Sequence, residues 1–367
     1  MKIICNKSEL LNGVNTVLKA VPVRTTLPIL QCIFIDTTEG FIKMTANDME
    51  LGIETVVEGD VIDKGKVALD AKLFSEIVRK LPDSEVVIES DDSFKTLIKC
   101  EKARFNIAGR SGDDFVMLPE ISRDKCIRIS QYALKEVIRQ TIFSTSDSES
   151  NHLMSGVLFE IEEDHMRVVA LDGQRIAIRR LTLKESYDKE KIIVPGKALN
   201  EISKILDGDM EKEVTIYFES QHVLFAFDQT IVLSRLIEGE YFQIDRMISN
   251  DYNTKIAINK KELQSCIERA ALLIRESERK PLIVNITDQS LAMMIQSAIG
   301  SMNEDIDIEK EGKDIMIGFN PRFVLDVLRV VDDETINIYL VNPRSPFIIR
   351  NDDGSYLYLI LPISFNM

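Results

Sequence analysis

A chain of 367 residues exceeds the roughly 100 to 200 typical of one domain, so two or three domains are expected. Its 45% hydrophobic and 29% charged composition is that of a globular protein, and no apolar run reaches the ~18 residues that span a bilayer, which sets membrane roles aside. A formal net charge of -15 argues against a simple basic nucleic-acid binder, because phosphate binding needs positive surface.

The opening Met1-Lys2-Ile3-Ile4-Cys5-Asn6 runs into an amphipathic pattern without a signal-peptide core, so a cytoplasmic protein is expected. The five cysteines, Cys5, Cys32, Cys100, Cys126 and Cys266, are odd in number and show no C-x-x-C spacing, which suits reduced thiols packed as small hydrophobes.

The first predicted helix is capped by Asn6 and carries Leu10, Val14, Val17 and Leu18 at helical spacing. Similar helices follow Ser130 (Leu134, Val137, Ile138) and Asn259 (Leu263, Ile267, Ala270, Ala271, Ile274). Asn6 and Asn259 also have Glu three residues on, the capping-box spacing. A second helix recurs with a tighter register. It begins at Ala71, Gly196 and Pro321, a constant step of 125 residues, each time after a strand-like run: Val67 to Leu69, Ile192 to Val194, Ile315 to Ile317. The intervening runs, such as Phe34-Ile35, Val86 to Ile88, Val157 to Phe159, Val214 to Phe218, Ile336 to Leu340 and Tyr356 to Ile360, are β-rich. Three α+β copies of two helices and sheets are expected, with boundaries in the polar stretches near Asp124 and Asn253: residues 1–125, 126–253 and 254–367. Such short junctions favour copies that continue one another's sheets.

In the second helix, Lys72, Lys197 and Arg322 share one position and Arg79, Lys204 and Arg329 another. Positions seven apart share a face, while 73, 74, 77, 78 and 81 cluster opposite, giving a helix basic outward and apolar inward. For one helix the bland reading is a solvated face, aided by i,i+4 pairing with Glu76, Glu201 and Asp326. Threefold repetition favours a basic surface that binds phosphate locally while carboxylates elsewhere prevent general sticking. Arg24 is a further loop cation of this kind.

Catalytic and metal motifs fail one after another. Gly59 to Lys66 has five residues between its glycines and Val67 where a P-loop needs Ser or Thr. His152, His165 and His222 have no zinc spacing. Asp305 to Gly312 has its glycine two positions late for an EF-hand, and its alternating isoleucines predict a strand. Glu162-Glu163-Asp164 and Asp352-Asp353-Gly354 read as hairpin turns. No catalytic residue, metal or cofactor is expected.

Thr26-Leu27-Pro28-Ile29-Leu30, Asp172-Gly173-Gln174-Arg175-Ile176-Ala177, Ile193-Val194-Pro195, Leu206-Asp207-Gly208, Gly318-Phe319-Asn320 with Val324 to Leu328, and Leu361-Pro362-Ile363, in this order and spacing, resemble the bacterial DNA polymerase III β subunit family, the replicative sliding clamps, over the whole chain. The resemblance implies three DNA-clamp domains, each of two helices packed on β-sheets, forming half of a six-domain ring. A head-to-tail homodimer would encircle double-stranded DNA, confer processivity, associate with the nucleoid, and bind the replicative polymerase, clamp loader and repair proteins through short linear peptides. It implies DNA contacts at Arg24, Lys72, Lys197 and Asn320, to which the repeat adds Arg79, Lys204, Arg322 and Arg329. Among the positions similar to the family's DNA contacts, Ser148, His152 and Leu153 fall on a loop that bears glutamine and tyrosine in some relatives, a departure from the family's pattern.

The implied peptide cleft has as walls Met154, Asp172, Gly173, Arg175, Ile176, Phe242, Arg246, Met247, Pro346, Leu359, Ile360, Leu361, Pro362 and Ile363. An apolar pocket with a cation at its rim suits Leu or Phe anchors of an extended peptide. For the strand at 356–360 alone, burial in a core is the competing reading. Gln174, Phe242 and the ending Ser364-Phe365-Asn366-Met367 depart from the family's pattern. For the dimer seam, Phe105 and Ile107 are implied to meet Leu272 and Leu273 of a second copy, with Glu304, Asp305 and Asp307 facing Lys102 and Arg104. The alternative is a repeat-built interaction scaffold that never encloses DNA.

Overall fold

A computed structural model of the protein describes residues 1–146, 151–274 and 280–365. Among them are six α-helices: α1 (Lys7–Val17), α2 (Ala71–Lys80), α3 (Gln131–Thr141), α4 (Gly196–Ile205), α5 (Lys260–Ala271) and α6 (Pro321–Leu328). They alternate with antiparallel strands in the repeated order strand, helix, strands, helix, strands that the sequence predicts. No helix among the described residues is long and apolar enough to cross a membrane.

By packing, the chain divides into two compact units, residues 1–134 with 200–236 and residues 135–199 with 237–367. In the first, strand Thr230–Arg235 of the second repeat pairs with Leu51–Val57 of the first, placing Val232 opposite Ile53. Buried Thr55 and Thr230 share a hydroxyl hydrogen bond of 2.8 Å across that seam. α1 lies against α2 and against Leu51–Val57. Gly13 permits this approach, since a β-carbon there would overlap the Val57 side chain.

In the second unit, the long hairpin Gly156–Leu171 and Arg175–Pro195 begins a seven-stranded sheet. Arg175–Pro195 pairs with Tyr356–Ile360 of the third repeat, with Ala177 opposite Tyr358 and Ile178 opposite Leu357. A four-stranded sheet ordered Ser301–Asp307, Ser290–Gln296, Leu282–Thr287, Ile315–Phe319 completes the third repeat. Its core, filled by Ile256, Leu263, Ile267, Val284, Met293, Val324, Leu328, Ile336 and their neighbours, underlies α5 and α6. The sheets of the second repeat are thus continued by its neighbours on both sides, as short junctions lead one to expect.

Several local expectations change. Leu73 is 45% exposed, while Ala71, Phe74, Ser75, Ile77, Val78 and Leu81 are buried. The inward arc follows 71, 74, 75 and 78, and position 73 falls at its border beside Lys72. Glu162-Glu163-Asp164 turns the chain as expected, although it lies within Gly156–Leu171: Glu163 takes φ +55°, the register shifts on both sides of it, and Arg167 folds back to bond Glu160, which a straight strand would hold far apart. Asp352-Asp353-Gly354 does form a turn, between Phe347–Arg350 and Tyr356–Ile360. Asp60–Asp63 is a strand, so Gly59 to Lys66 is not a phosphate loop. Ile306 is buried in strand Ser301–Asp307, as its alternation predicts, and Ile308 is buried in the single-residue gap before strand Glu309–Gly312. Cys126 is only half-buried; the other four cysteines are buried.

The caps sort differently from their sequence signatures. The Asn259 side chain accepts the Glu262 N–H at 3.2 Å, and Ser130 Oγ accepts from Ala133 at 3.1 Å. Asn6, with the same capping-box spacing, makes no side-chain cap hydrogen bond. Asn259→Ala should therefore destabilise the chain by about 1 kcal/mol and Asn6→Ala by only a few tenths, read as shifts in the urea-unfolding midpoint; equal losses would contradict the capping geometry.

Candidate functional sites

Lys72 and Arg79 on α2, Lys197 and Lys204 on α4, and Arg322 on α6 are all exposed, as is Arg329, which caps the C-terminus of α6 one residue beyond it. The helices thus show the predicted basic outer face. Lys204 pairs with Glu201 at 2.7 Å and Arg329 with Asp326 at 3.6 Å, both at i,i+3 spacing. Asn320 is the N-cap of α6, its Oδ1 accepting the Arg322 N–H at 3.0 Å. Arg24 is exposed beside Val23, which is 95% exposed. His152 is exposed in the short turn His152–Ser155, whereas Leu153 packs on the core; Ser148 lies outside the described residues.

The expected cleft walls come together in part. Ile176 and Leu359 are themselves buried, in one core cluster with Leu158, Val169, Leu171, Tyr241 and Ile244, as the competing reading of strand Tyr356–Ile360 has it; half-buried Met154 and Phe242 pack against that cluster. Leu153 and Ile248 join the same surface, and neither was expected there. Arg246 and Met247 are exposed in the turn Ile244–Met247. Gly173, at φ +86°, turns the hairpin tip beneath Met154, leaving a β-carbon position 3.7 Å from Met154 Cε. The Leu361 N–H donates to the Gln174 carbonyl at 2.9 Å, which brings Leu361, Pro362 and Ile363 to the same tip. Pro346 is half-buried next to Phe347 and Ile348. Ile360 is not a wall: it is fully buried and faces the core beneath α5 and α6, because its strand alternates faces with Leu359.

Arg175 also departs from expectation. Its side chain is 11% exposed, too enclosed to be a rim cation. Nε donates to Asp172 Oδ2 at 2.9 Å, Nη1 to Asp326 Oδ2 at 2.6 Å, and Nη2 to the Phe143 carbonyl. The guanidinium lies over the rings of Phe323 (4.5 Å) and Phe143 (5.3 Å), the planar stacking that Arg favours over Lys. Charge and stacking together pin the hairpin tip to α6. Beside it opens a concavity of about 970 Å³ lined by Gln174, Asn320, Arg322, Phe323, Asp326, Arg329, Pro362 and Ile363, among others. Residues assigned by sequence to DNA and to peptide therefore share one surface.

A second tether holds the opposite wall. Arg167 reaches Asp245 with both amino groups, at 2.6 and 3.3 Å, and also bonds Glu160. Asp245 adjoins Arg246 and Met247, so this fork fixes their turn to strand Gly156–Leu171. The hydrogen bond from Arg167 holds the Asp245 carboxyl below the usual carboxylate range. Burial pushes Glu160 up, but hydrogen bonds from Arg167 and Lys191 outweigh it and leave that carboxyl lowered as well.

At the expected seam, Phe105 is exposed and Ile107 half-buried on strand Ala103–Arg110. Residues 103–108 of that strand pair on one side, with Lys95–Cys100. Among the described residues, Ser301–Asp307 likewise pairs with Ser290–Gln296 alone. Leu272 is 78% exposed, whereas Leu273 packs against the core. Arg269 already engages Glu304 through two nitrogens, so Glu304 is not a free acidic contact for Lys102 or Arg104.

Three repeats of paired helices on antiparallel sheets, with cations at matching helix positions, define a DNA-clamp fold. Residues 1–119, 128–243 and 245–364 match the N-terminal, central and C-terminal domain profiles of the DNA polymerase III beta subunit. The beta sliding clamps of Staphylococcus epidermidis and Staphylococcus aureus are each 34% identical over 374 aligned positions, covering 99% of both chains. The DNA polymerase sliding clamp of Bacillus subtilis superposes with a TM-score of 0.95 at 34% identity over the whole of both chains. A candidate DNA polymerase III beta subunit of Eubacterium rectale does so with a TM-score of 0.96 at 59% identity, also over the whole of both. The chain belongs to the DNA polymerase III beta subunit family, the sliding clamps.

The Arg167 tether makes the turn Ile244–Met247 sensitive to acid. A carboxyl lowered in the folded state stabilises above its unfolded pKa, and that contribution disappears as pH falls through the folded value. Amide hydrogen exchange in this turn should accelerate below about pH 4. In Arg167→Ala it should already be fast at neutral pH and change little on acidification; a variant with wild-type protection would show that the fork does not hold the turn.

Proposed function

We propose that two copies of this chain close head to tail into a ring around duplex DNA, as the non-catalytic processivity subunit of a replicative polymerase. The observation that carries the DNA reading is the place of three cations. Lys72, Lys197 and Arg322 each sit at the second position of their helix, where the positive end of the helix dipole disfavours a cation by roughly 0.3–1 kcal/mol. Asp70 and Asn320 already cap the termini of α2 and α6, so what three repetitions of the choice point to is an anion that takes up the side-chain charges. Arg24, Arg79, Lys204, Arg329 and Asn320 extend that surface. Its contacts are to phosphate and carry no sequence preference, which suits sliding.

The three clamp domains are assigned to 1–125, 126–253 and 254–367, supported by the strands Cys126–Ser130 and Thr254–Asn259 that begin the second and third copies. The seam joins the open edge at 103–108 of one copy to Ser301–Asp307 of the other, with Phe105, Ile107, Leu272 and Leu273 alongside. Two unlike edges make a head-to-tail contact, and two such contacts close a symmetric ring. The apolar cluster around Ile176, Met154, Phe242 and Leu359, rimmed by Arg246, Met247 and Leu361, takes short extended peptides of the polymerase, clamp loader and repair proteins. The work of such a protein is cytoplasmic, on the nucleoid, and family membership leaves the DNA-free scaffold without a feature of its own.

Replacing Lys72, Lys197 and Arg322 with Glu should abolish retention on closed circular DNA after clamp-loader treatment while leaving peptide binding within about twofold; retained loading would refute the DNA face. Leu272→Asp should shift sedimentation from dimer to monomer by burying a charge at the seam. A variant that still sediments as a dimer would count against this seam.

A further inference from the structure

Asp326, on α6, gives one carboxylate oxygen to each of two arginines with different duties. Oδ2 accepts from Arg175 Nη1 at 2.6 Å, and Oδ1 lies 3.6 Å from Arg329 Nη1. Arg175 in turn holds Asp172 Oδ2 at 2.9 Å. Asp172 Oδ1 accepts the N–H groups of Gln174 at 2.9 Å and Arg175 at 3.0 Å, which sets the turn at the hairpin tip. The Gln174 carbonyl then receives the Leu361 N–H. One continuous series of polar contacts leads from an exposed helix-terminal cation to the wall of the peptide cleft. Gln174, Asp326, Arg329 and Pro362 line the same 970 Å³ concavity.

We propose that Asp326 is a positioning residue linking the two surfaces: through Arg175 it orders the peptide-cleft wall, and through Arg329 it restrains a cation from phosphate. The linkage rests on the cleft and DNA face assigned above. The two halves differ in strength. The Arg175 contact is short, charge-assisted and enclosed between two aromatic rings. The Arg329 contact is long, its guanidinium largely in solvent, and is screened by salt. Removing the Asp326 charge therefore acts with opposite signs at the two sites. Arg175 loses an anchor and the tip at Gly173 loosens, which weakens peptide binding. Arg329 is released and the repulsion between the carboxylate and phosphate disappears, which strengthens DNA binding.

Full-length Asp326→Asn tests this with two probes: a fluorescein-labelled extended peptide bearing Leu and Phe anchors, and a linear duplex oligonucleotide at low salt. Peptide affinity should fall about tenfold while duplex affinity rises about threefold. Asp326→Glu, which keeps the charge, should recover most of both. Parallel losses for peptide and duplex, with a lowered thermal midpoint, would mean that Asp326 only supports the fold and would overturn the linkage. So would a variant that binds both probes as the wild type does. A wild-type chain that ignores the peptide overturns the cleft assignment and the linkage with it, an outcome distinct from a wild type that binds and an Asp326→Asn chain that binds equally.

Discussion

A strand at the edge of a sheet presents unpaired N–H and C=O groups, and leaving them open invites uncontrolled pairing. In this chain the need to cover such edges decides where each repeat ends and which strand lies beside it. Leu51–Val57 is covered by Thr230–Arg235, and Tyr356–Ile360 by Arg175–Pro195. The second repeat is consequently divided between two compact units, and its helices α3 and α4 each run from one to the other. A repeat defined by sequence and a unit defined by packing are different objects here. The open stretches at 103–108 and in Ser301–Asp307 are the edges that the proposed seam joins.

Within the second unit, the same economy governs Arg175. An ionised group that is 11% exposed is costly unless its charge is matched and its donors are used. Two carboxylates, one carbonyl and two aromatic faces do both. The arrangement holds the hairpin tip, which forms a wall of the proposed cleft, in one place. On the other wall the Arg167 fork does the same for a turn that has little regular hydrogen bonding of its own.

Much of this is legible in the sequence. The step of 125 residues between Ala71, Gly196 and Pro321 is a covalent fact, and helix periodicity then sets the outward face on which Lys72 and Arg79 fall. What escapes depends on contacts distant in sequence. Arg175 looks like a rim cation until Asp326, 151 residues away, is found beside it. Phe323 occupies the repeat position of exposed Leu73 and buried Ala198, and there its ring packs against the core and carries the guanidinium above it. Ile360 and Leu359 are neighbours buried in different cores, because a strand's alternation fixes which residues differ in face, not what each face meets.

The charge of -15 and a DNA-facing role are compatible because potential is local. At physiological salt the Debye length is about 8 Å, so a phosphate near Lys72 or Arg322 responds to that helix terminus and scarcely to carboxylates on a distant face. A uniformly basic clamp would adhere to nucleic acid by any surface and would gain nothing from enclosing it. In the function proposed above, the cations at matching positions on α2, α4 and α6 supply local phosphate contacts, and retention depends on closure of the ring. It is enclosure that lets individual contacts stay weak enough to be broken and remade as the protein slides.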